Sequence, residues 1–524
     1  MNTLQLVQGV EILLLLAGSL AVTAVARRLG WPAPLLLVAV GLAASFVPGM
    51  PDFRLEPELV LAIVLPPLLY SSALDSSYVN IRRNIRPIAL LAIGLVLTTT
   101  VGVGLVTHLL IPALPLPASL ALGAIVAPPD AVAAVAIGRK LGLPRRIMTL
   151  LTGESLVNDA TALTAYKVAV AAATGTAMSW GTGVATFLLA SVGGTVIGYL
   201  IGVVVHWIRL RLHDSVLESG LGMLVPFGAY LIGESVGTSG VLAVVAAGLY
   251  LGHNAPRAGY ATRLQETAVW GAVDVLLESW VFGLIGLQLR FVLTDSGATW
   301  PLFGAALLVL LATILLRIAW VYPGTYLPRL LSRKIREREE PPSPRGVFIV
   351  AWTGMRGVVS LAAASGLRLD MPGRDVIILC TFVVTVGTLM VQGLTLPGLI
   401  HVLGVRSTDE HTDTLAEAQV KYHAAKASIE RLDDATDEAT PEHVVKRLKL
   451  LAEHRGNAAW ERLGRGDEEI GETPAARWQR LRLTMLLAER EVFLAARDAR
   501  EIDDEVFRRV QRELDLEQAA LTRE

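Results

Sequence analysis

The chain has almost nothing from which to build a covalent scaffold: its 524 residues include a single cysteine, Cys380. That excludes an internal disulfide and a thiolate metal centre. Charge is scarce as well, at 18% of residues beside 53% hydrophobic ones, where a soluble domain carries about 25% charge. This disfavours a large cytosolic enzyme. Neither sign dominates, with 46 Lys+Arg against 47 Asp+Glu, so nothing points to nucleic acid. The first twenty residues lack the basic start of a signal peptide, and the first apolar run reads as a retained membrane helix.

What charge there is falls unevenly. From residue 405 onward there are 20 basic and 27 acidic side chains, a net −7; residues 1–404 hold 26 and 20, a net +6. Two physical regimes share one chain.

Crossing the hydrocarbon takes about 20 mainly apolar residues. Thirteen segments qualify: 5–26, 32–48, 57–74, 87–112, 115–137, 147–173, 182–208, 215–233, 238–252, 266–289, 299–326, 345–367 and 375–403. The expected fold is therefore all-α and polytopic, with a membrane domain over 1–404 and a cytosolic helical tail over 405–524. One set of alternate loops collects Arg27, Arg28, Arg82, Arg83, Arg86, Arg139, Lys140, Arg145, Arg146, Arg209, Arg211, Arg257, Arg263 and the cluster from Arg329 to Arg345. The other set has only Arg54, Arg290, Arg368 and Arg374. Positive loops stay in the cytoplasm, which puts the N-terminus outside and the C-terminus inside, in the cell membrane.

In the tail, Thr440-Pro441 and Thr473-Pro474 read as a capping residue followed by proline at the first helical position. With apolar residues at helical spacing, they predict three or four helices in a small bundle after a linker near 404–412.

Ionisable residues at mid-span are costly in lipid and are functional candidates. Asp130, Glu154, Asp159 and Glu278 qualify, with Arg356 and Lys167 as the basic group. Lys167 is expected to snorkel outward. Glu11, Glu218 and Asp274 lie nearer helix ends and are expected to be structural. His206 and His213 read as ordinary surface residues.

The sixth segment carries the densest polar group. Glu154 and Asn158 are four apart, as are Ser155 and Asp159, so each pair stacks along one stripe of a helix. A carboxylate with a hydroxyl one turn away offers hard oxygen ligands for a small cation. The same carboxylate can take a proton, because desolvation disfavours its charged form. It holds one or the other.

The fifth segment contains Pro128 and Pro129 before Asp130, and proline breaks a helix. The twelfth contains Gly354 and Gly357 around Arg356. Two interrupted helices in corresponding places of two halves, segments 1–6 and 8–13, suggest inverted repeats with a midplane ion site. Asp130 is expected to face the positive N-terminal ends of the half-helices, and Arg356 the negative C-terminal ends.

These residues resemble the cation:proton antiporter family, specifically the NhaP-type bacterial sodium/proton antiporters and their animal exchanger relatives. The resemblance covers about residues 8–403. It is carried by Gly153-Glu154-Ser155-Leu156-Val157-Asn158-Asp159, by Pro66-Pro67-Leu68-Leu69-Tyr70, by the Pro128-Pro129-Asp130 run, by Glu278 to Gly286 and by Gly354-Met355-Arg356-Gly357. It implies a homodimer in the lipid bilayer, with a moving core of helices 4–6 and 11–13 and a dimerisation domain of helices 1–3 and 7–10. It implies that Asp159 binds Na⁺ and H⁺ in turn, that Ser155 is a ligand, that Asn158 supports the site and that Glu154 pairs with Arg356. No cofactor is implied beyond the transported ions. Ser71 and Ser72 stand where NhaP-type relatives carry an acid, and Pro129 where they usually have threonine. Glu278 and the two serines are possible accessory groups.

The expected activity is electroneutral Na⁺/H⁺ exchange by alternating access, serving sodium extrusion and pH homeostasis. Asn158 beside Asp159 argues against a second carried proton. K⁺/H⁺ exchange on the same architecture is the alternative. Remoter ones are an intramembrane aspartyl protease using Asp130 and Asp159, and a cation channel.

Overall fold

A computed structural model describes residues 3–48, 51, 53, 57–175, 180–212, 214–295, 299–338, 341–405, 409–437, 440–463, 474–499, 501–502 and 504–522. They are mostly helical, with no strand among them. The chain divides into two compact units, Met1–Ser407 and Thr408–Glu524.

In the first unit the helices run α1 Thr3–Leu29, α2 Ala33–Ala44, α3 Pro57–Leu74, α4 Ile85–Leu110, α5a Leu116–Val126 and α5b Ala131–Lys140. They continue with α6 Arg145–Ala173, α7 Trp180–Leu212, α8 Ser215–Ser235, α9 Gly240–Asn254, α10 Tyr260–Leu287 and α11 Trp300–Leu331. α12a Pro344–Trp352, α12b Val358–Ser365 and α13 Arg374–Leu403 complete the unit. Among the described residues, nine stretches are long and apolar enough to cross a membrane. The other four expected segments are helical but depart from a plain span. α2 and α9 are short at 12 and 15 residues, α6 carries the polar run, and the twelfth is broken between α12a and α12b.

Proline and glycine explain the entries and the breaks. Pro34, Pro87, Pro117 and Pro301 sit in first turns, where their missing N–H has no partner to lose. The chain leaves helical geometry at Ala127–Asp130, where Pro128 and Pro129 cannot donate to the preceding turn. The second break, Thr353–Gly357, is non-helical and spans both glycines, with Gly357 extended.

Close helix contacts rest on small residues. A Cβ at Gly123 would strike the Thr100 carbonyl of α4. One at Gly286 of α10 would lie 2.5 Å from the Val38 carbonyl oxygen of α2. α4 packs on α5a, α5a on α6, and α13 on α11, α12b and both halves of the fifth helix. α3, α7, α8 and α9 gather around a second apolar core containing Tyr70, Val244 and Trp270. α7 and α8 also expose long apolar faces, among them Leu189, Leu200, Leu224 and Leu231.

In the second unit α14 Asp409–Ala435 packs on α15 Glu442–Leu463, and α16 Pro474–Asp498 on α17 Asp504–Thr522. Ion pairs from Arg482 to Glu517 (2.7 Å) and from Arg490 to Asp515 link α16 to α17. The Thr440 hydroxyl turns back to donate to Asp437 Oδ1 at 2.5 Å and does not cap α15 as its sequence position suggested. Thr473 and His213 lie outside the described residues. His206, expected at the surface, is buried edge-on against Tyr250, with ring centroids 6.2 Å apart.

Candidate functional site

The two breaks lie against each other. The Asp130 backbone N–H donates to the Met355 carbonyl at 2.7 Å, so the unwound strand of one joins that of the other. Each break leaves a helix end, and each end meets a side chain of the matching sign. Asp130 caps α5b, its Oδ1 accepting from the Val132 N–H at 2.8 Å, which sets a carboxylate on a positive helix N-terminus. Arg356 serves the C-terminal end of α5a. Its Nε donates to the Val126 carbonyl at 2.8 Å and a terminal nitrogen to Ala127 at 3.4 Å, with a further bond to Gly354. The Arg356 backbone N–H is taken by Thr388 of α13 at 3.0 Å.

Gly357 is required here by close approach. A Cβ on it would strike the Asp130 carboxylate and lie 2.7 Å from its Cγ and 2.8 Å from its Cβ. Asn158 of α6 holds the same knot. Its amide nitrogen donates to the Pro129 carbonyl at 2.7 Å, satisfying an acceptor that the broken helix leaves free.

The Glu154 partner differs from expectation. Arg317 of α11, fully buried, donates to both Glu154 oxygens at 2.5 and 2.9 Å and to the Val350 carbonyl at 3.1 Å. Arg356 is fully engaged with helix-end carbonyls, so the Glu154–Arg356 pair is replaced by Glu154–Arg317. Arg317 lies deep within a 32-residue apolar helix and is itself a mid-span charge. That position was the signal, and reading the helix as a plain span passed over it. Gly354 makes room for it, since a Cβ there would lie 2.5 Å from Arg317 Cδ.

Asp159, 7% exposed, faces a cavity of about 620 Å³. Among the described residues no group donates a hydrogen bond to its carboxylate. Ser155, one turn earlier, lines the same cavity. The cavity also brings together Ser71, Ser72, Pro128, Pro129, Asp130, Gly357 and Glu278 from the sequence candidates. Glu154, Asn158, Gly354 and Arg356 stand behind its wall. Asp274 was read as structural, yet it lines the cavity and accepts from the Ser71 hydroxyl at 2.5 Å. Ser360 of α12b, another lining residue, carried no sequence signal beyond its place after the second break. The rim holds exposed Asp75, Arg139 and Arg145. Lys167 lies apart, paired at 3.3 Å with Glu234.

Chemically this is a pocket with apolar walls and a few acids and hydroxyls, one of them an unpaired carboxylate, beside a crossing that holds backbone carbonyls and a fixed pair of opposite charges. Such a site can take a proton or a desolvated cation, one at a time.

The family model described as sodium/hydrogen exchanger, transmembrane, matches residues 12–401. An uncharacterised Na⁺/H⁺ exchanger of Mycobacterium tuberculosis (strain H37Rv) is 32% identical over 98% of this chain and 97% of its own length. The Na⁺/H⁺ antiporter ApNhaP of Aphanothece halophytica is 34% identical over 80% of this chain and 78% of its own. Among solved structures, the sodium proton antiporter MjNhaP1 of Methanocaldococcus jannaschii at pH 8 superimposes with a TM-score of 0.60, at 21% identity, over 76% of this chain and 99% of that one. Spanning the match from α1 to α13, the chain belongs to the sodium/hydrogen exchanger family and is a multi-pass membrane transporter of monovalent cations and protons, not an enzyme.

Proposed function

We propose that the protein exchanges one Na⁺ for one H⁺ by alternating access, with Asp159 as the seat that the two ions occupy in turn. The observation that carries this is an acid more than nine-tenths buried, without a donor among the described residues, facing a cavity of about 620 Å³. Ser155 is the neighbouring oxygen ligand, with Asp130 close by. Asn158 is not a second carrier, because a carboxamide takes up no proton in this range and its nitrogen is committed to the Pro129 carbonyl. A single carboxylate crosses with the same net charge whether it holds Na⁺ or H⁺, so the exchange is electroneutral.

The core that moves comprises α4–α6 and α11–α13, which carry the two breaks. The remaining helices form the dimerisation domain, and the exposed apolar faces of α7 and α8 serve lipid and a second copy. Arg139 and Arg145 on the cavity rim belong to the arginine-rich loops, so this conformation is open to the cytoplasm, with the N-terminus outside the cell membrane.

Proteoliposomes test the proposal. An imposed Na⁺ gradient moves protons, K⁺ in place of Na⁺ supports a lower initial rate, and Asp159→Asn abolishes exchange. A clamped membrane voltage leaves the rate unaltered. Exchange that survives Asp159→Asn overturns the shared seat, and voltage-driven exchange overturns the stoichiometry.

A further inference from the structure

Asp159 is not alone in its cavity. α10 presents Asp274 and Glu278 to the same cavity, four residues apart, on one stripe. Asp274 accepts from the Ser71 hydroxyl through Oδ2, while its Oδ1 is sealed from solvent and has no donor among the described residues. Glu278 lies within electrostatic range of Asp130, which in turn lies within range of Asp159. Acids alone would not make a site. α12b adds Ser360, which is 2% exposed and lines this cavity, and its hydroxyl has no hydrogen-bond partner among the described residues. A buried hydroxyl with nothing to bind is rare, and α12b packs on α10, the helix that carries the two acids. None of these groups is needed by the single-seat mechanism.

We infer that Asp274, Glu278, Ser71 and Ser360 form a second cation station, between the rim and Asp159, that holds a dehydrating Na⁺ before it reaches the exchange seat. Carboxylate and hydroxyl oxygens are the donor set a hard monovalent cation takes. The inference rests on the single-seat reading and extends it. It also gives the two faces of the membrane different affinities. Asp274 and Glu278 sit on α10, outside the proposed moving core, so Asp159 leaves them behind when the core carries its ion across. The cytoplasm-facing site therefore has help from two acids that the outward-facing site lacks, as suits a transporter that collects Na⁺ from a dilute cytoplasm.

Binding and exchange are measured on the same purified full-length protein. Radioactive Na⁺ binding to Asp159→Asn, which cannot exchange, is expected to persist, and to disappear when Asp274→Asn and Glu278→Gln are added. In otherwise native protein, Glu278→Gln and Ser360→Ala each raise the half-saturating cytoplasmic Na⁺ several-fold, more than they lower the maximal rate, and Glu278→Gln, on the helix that stays behind, leaves half-saturation on the external face unchanged. Residual binding that ignores the α10 substitutions overturns the station. So does an exchange-dead Asp159→Asn protein that elutes as native and binds no Na⁺, which leaves the single seat standing. Exchange that persists in Asp159→Asn removes the seat, whatever the binding data give. If a triple variant fails to assemble, the two-sided half-saturation of Glu278→Gln decides.

Discussion

The ion pair behind the cavity gives the sharpest test of how the core is held. Glu154 and Arg317 keep 2% and 0% of their side-chain surface, and two hydrogen bonds join them. A third Arg317 bond ties α12a through Val350, so the pair links α6, α11 and the helix before the second break. Replacing Arg317 by methionine leaves the Glu154 charge buried with no cation of its own. Breaking such a pair costs about 3–5 kcal/mol. Replacing both, Glu154→Leu with Arg317→Met, removes both desolvation costs together and is expected to recover most of that loss. A double-mutant cycle isolates the coupling. Unfolding in SDS-titrated detergent, followed by the fluorescence of the ten tryptophans, supplies the free energies. The Glu154/Arg317 cycle should return a coupling of at least about 4 kcal/mol, above the usual range for direct contacts. The Glu154/Arg356 cycle should return below about 1 kcal/mol, because Arg356 is spent on the carbonyls of Val126, Ala127 and Gly354. A larger coupling in the second cycle would refute this account of the crossing.

Three further outcomes follow. Gly357→Ala drives a methyl group into the Asp130 side chain, so exchange falls by at least tenfold even where the protein still inserts; undiminished exchange would mean the crossing yields easily. Arg368 donates to both oxygens of Asp370 at 3.0 and 2.9 Å and holds that carboxyl below the usual range. A depressed acid contributes fully above its unfolded value of about 4 and loses that contribution as pH falls through the lower folded value. Amide exchange in the 366–373 turn is therefore flat from pH 5 to 8 in opening free energy and rises only in stronger acid. Because Cys380 is the sole cysteine and is buried, Cys380→Ala gives a thiol-free background. In it, Arg368→Cys reacts with an impermeant maleimide from outside and Arg82→Cys only after lysis; the reverse pattern inverts the topology.

What could be read without coordinates was what lipid physics forces. Apolar length marked the helices, the Pro128-Pro129 pair marked one break, and Gly354 with Gly357 marked the other. The same logic placed opposite charges on helix ends, and the geometry has Asp130 on an N-terminus and Arg356 on a C-terminal end. Partner identity was another matter. Arg317 and Arg356 are both mid-span arginines, and spacing along a chain does not say which reaches Glu154 from a helix far away in sequence. The resemblance to the antiporter family implied Arg356. Yet a break exposes carbonyls, and carbonyls need donors more urgently than a carboxylate on an intact helix needs a nearby one. The arginine in the break is thus the one least free to pair, and the intact helix α11 supplies the counter-charge. Asp274 was missed for a related reason. It lies about midway along α10, which starts at Tyr260. Judged by distance from the end of an apolar run it reads as peripheral; judged by the cavity that reaches inward from the rim, it lines the approach to Asp159. Depth in a transporter is measured from the water in the passage, not from the end of the helix. Applied to the other buried acids, the same measure keeps Glu154 structural, since it lies behind the wall, and makes Glu278 part of the ion's route.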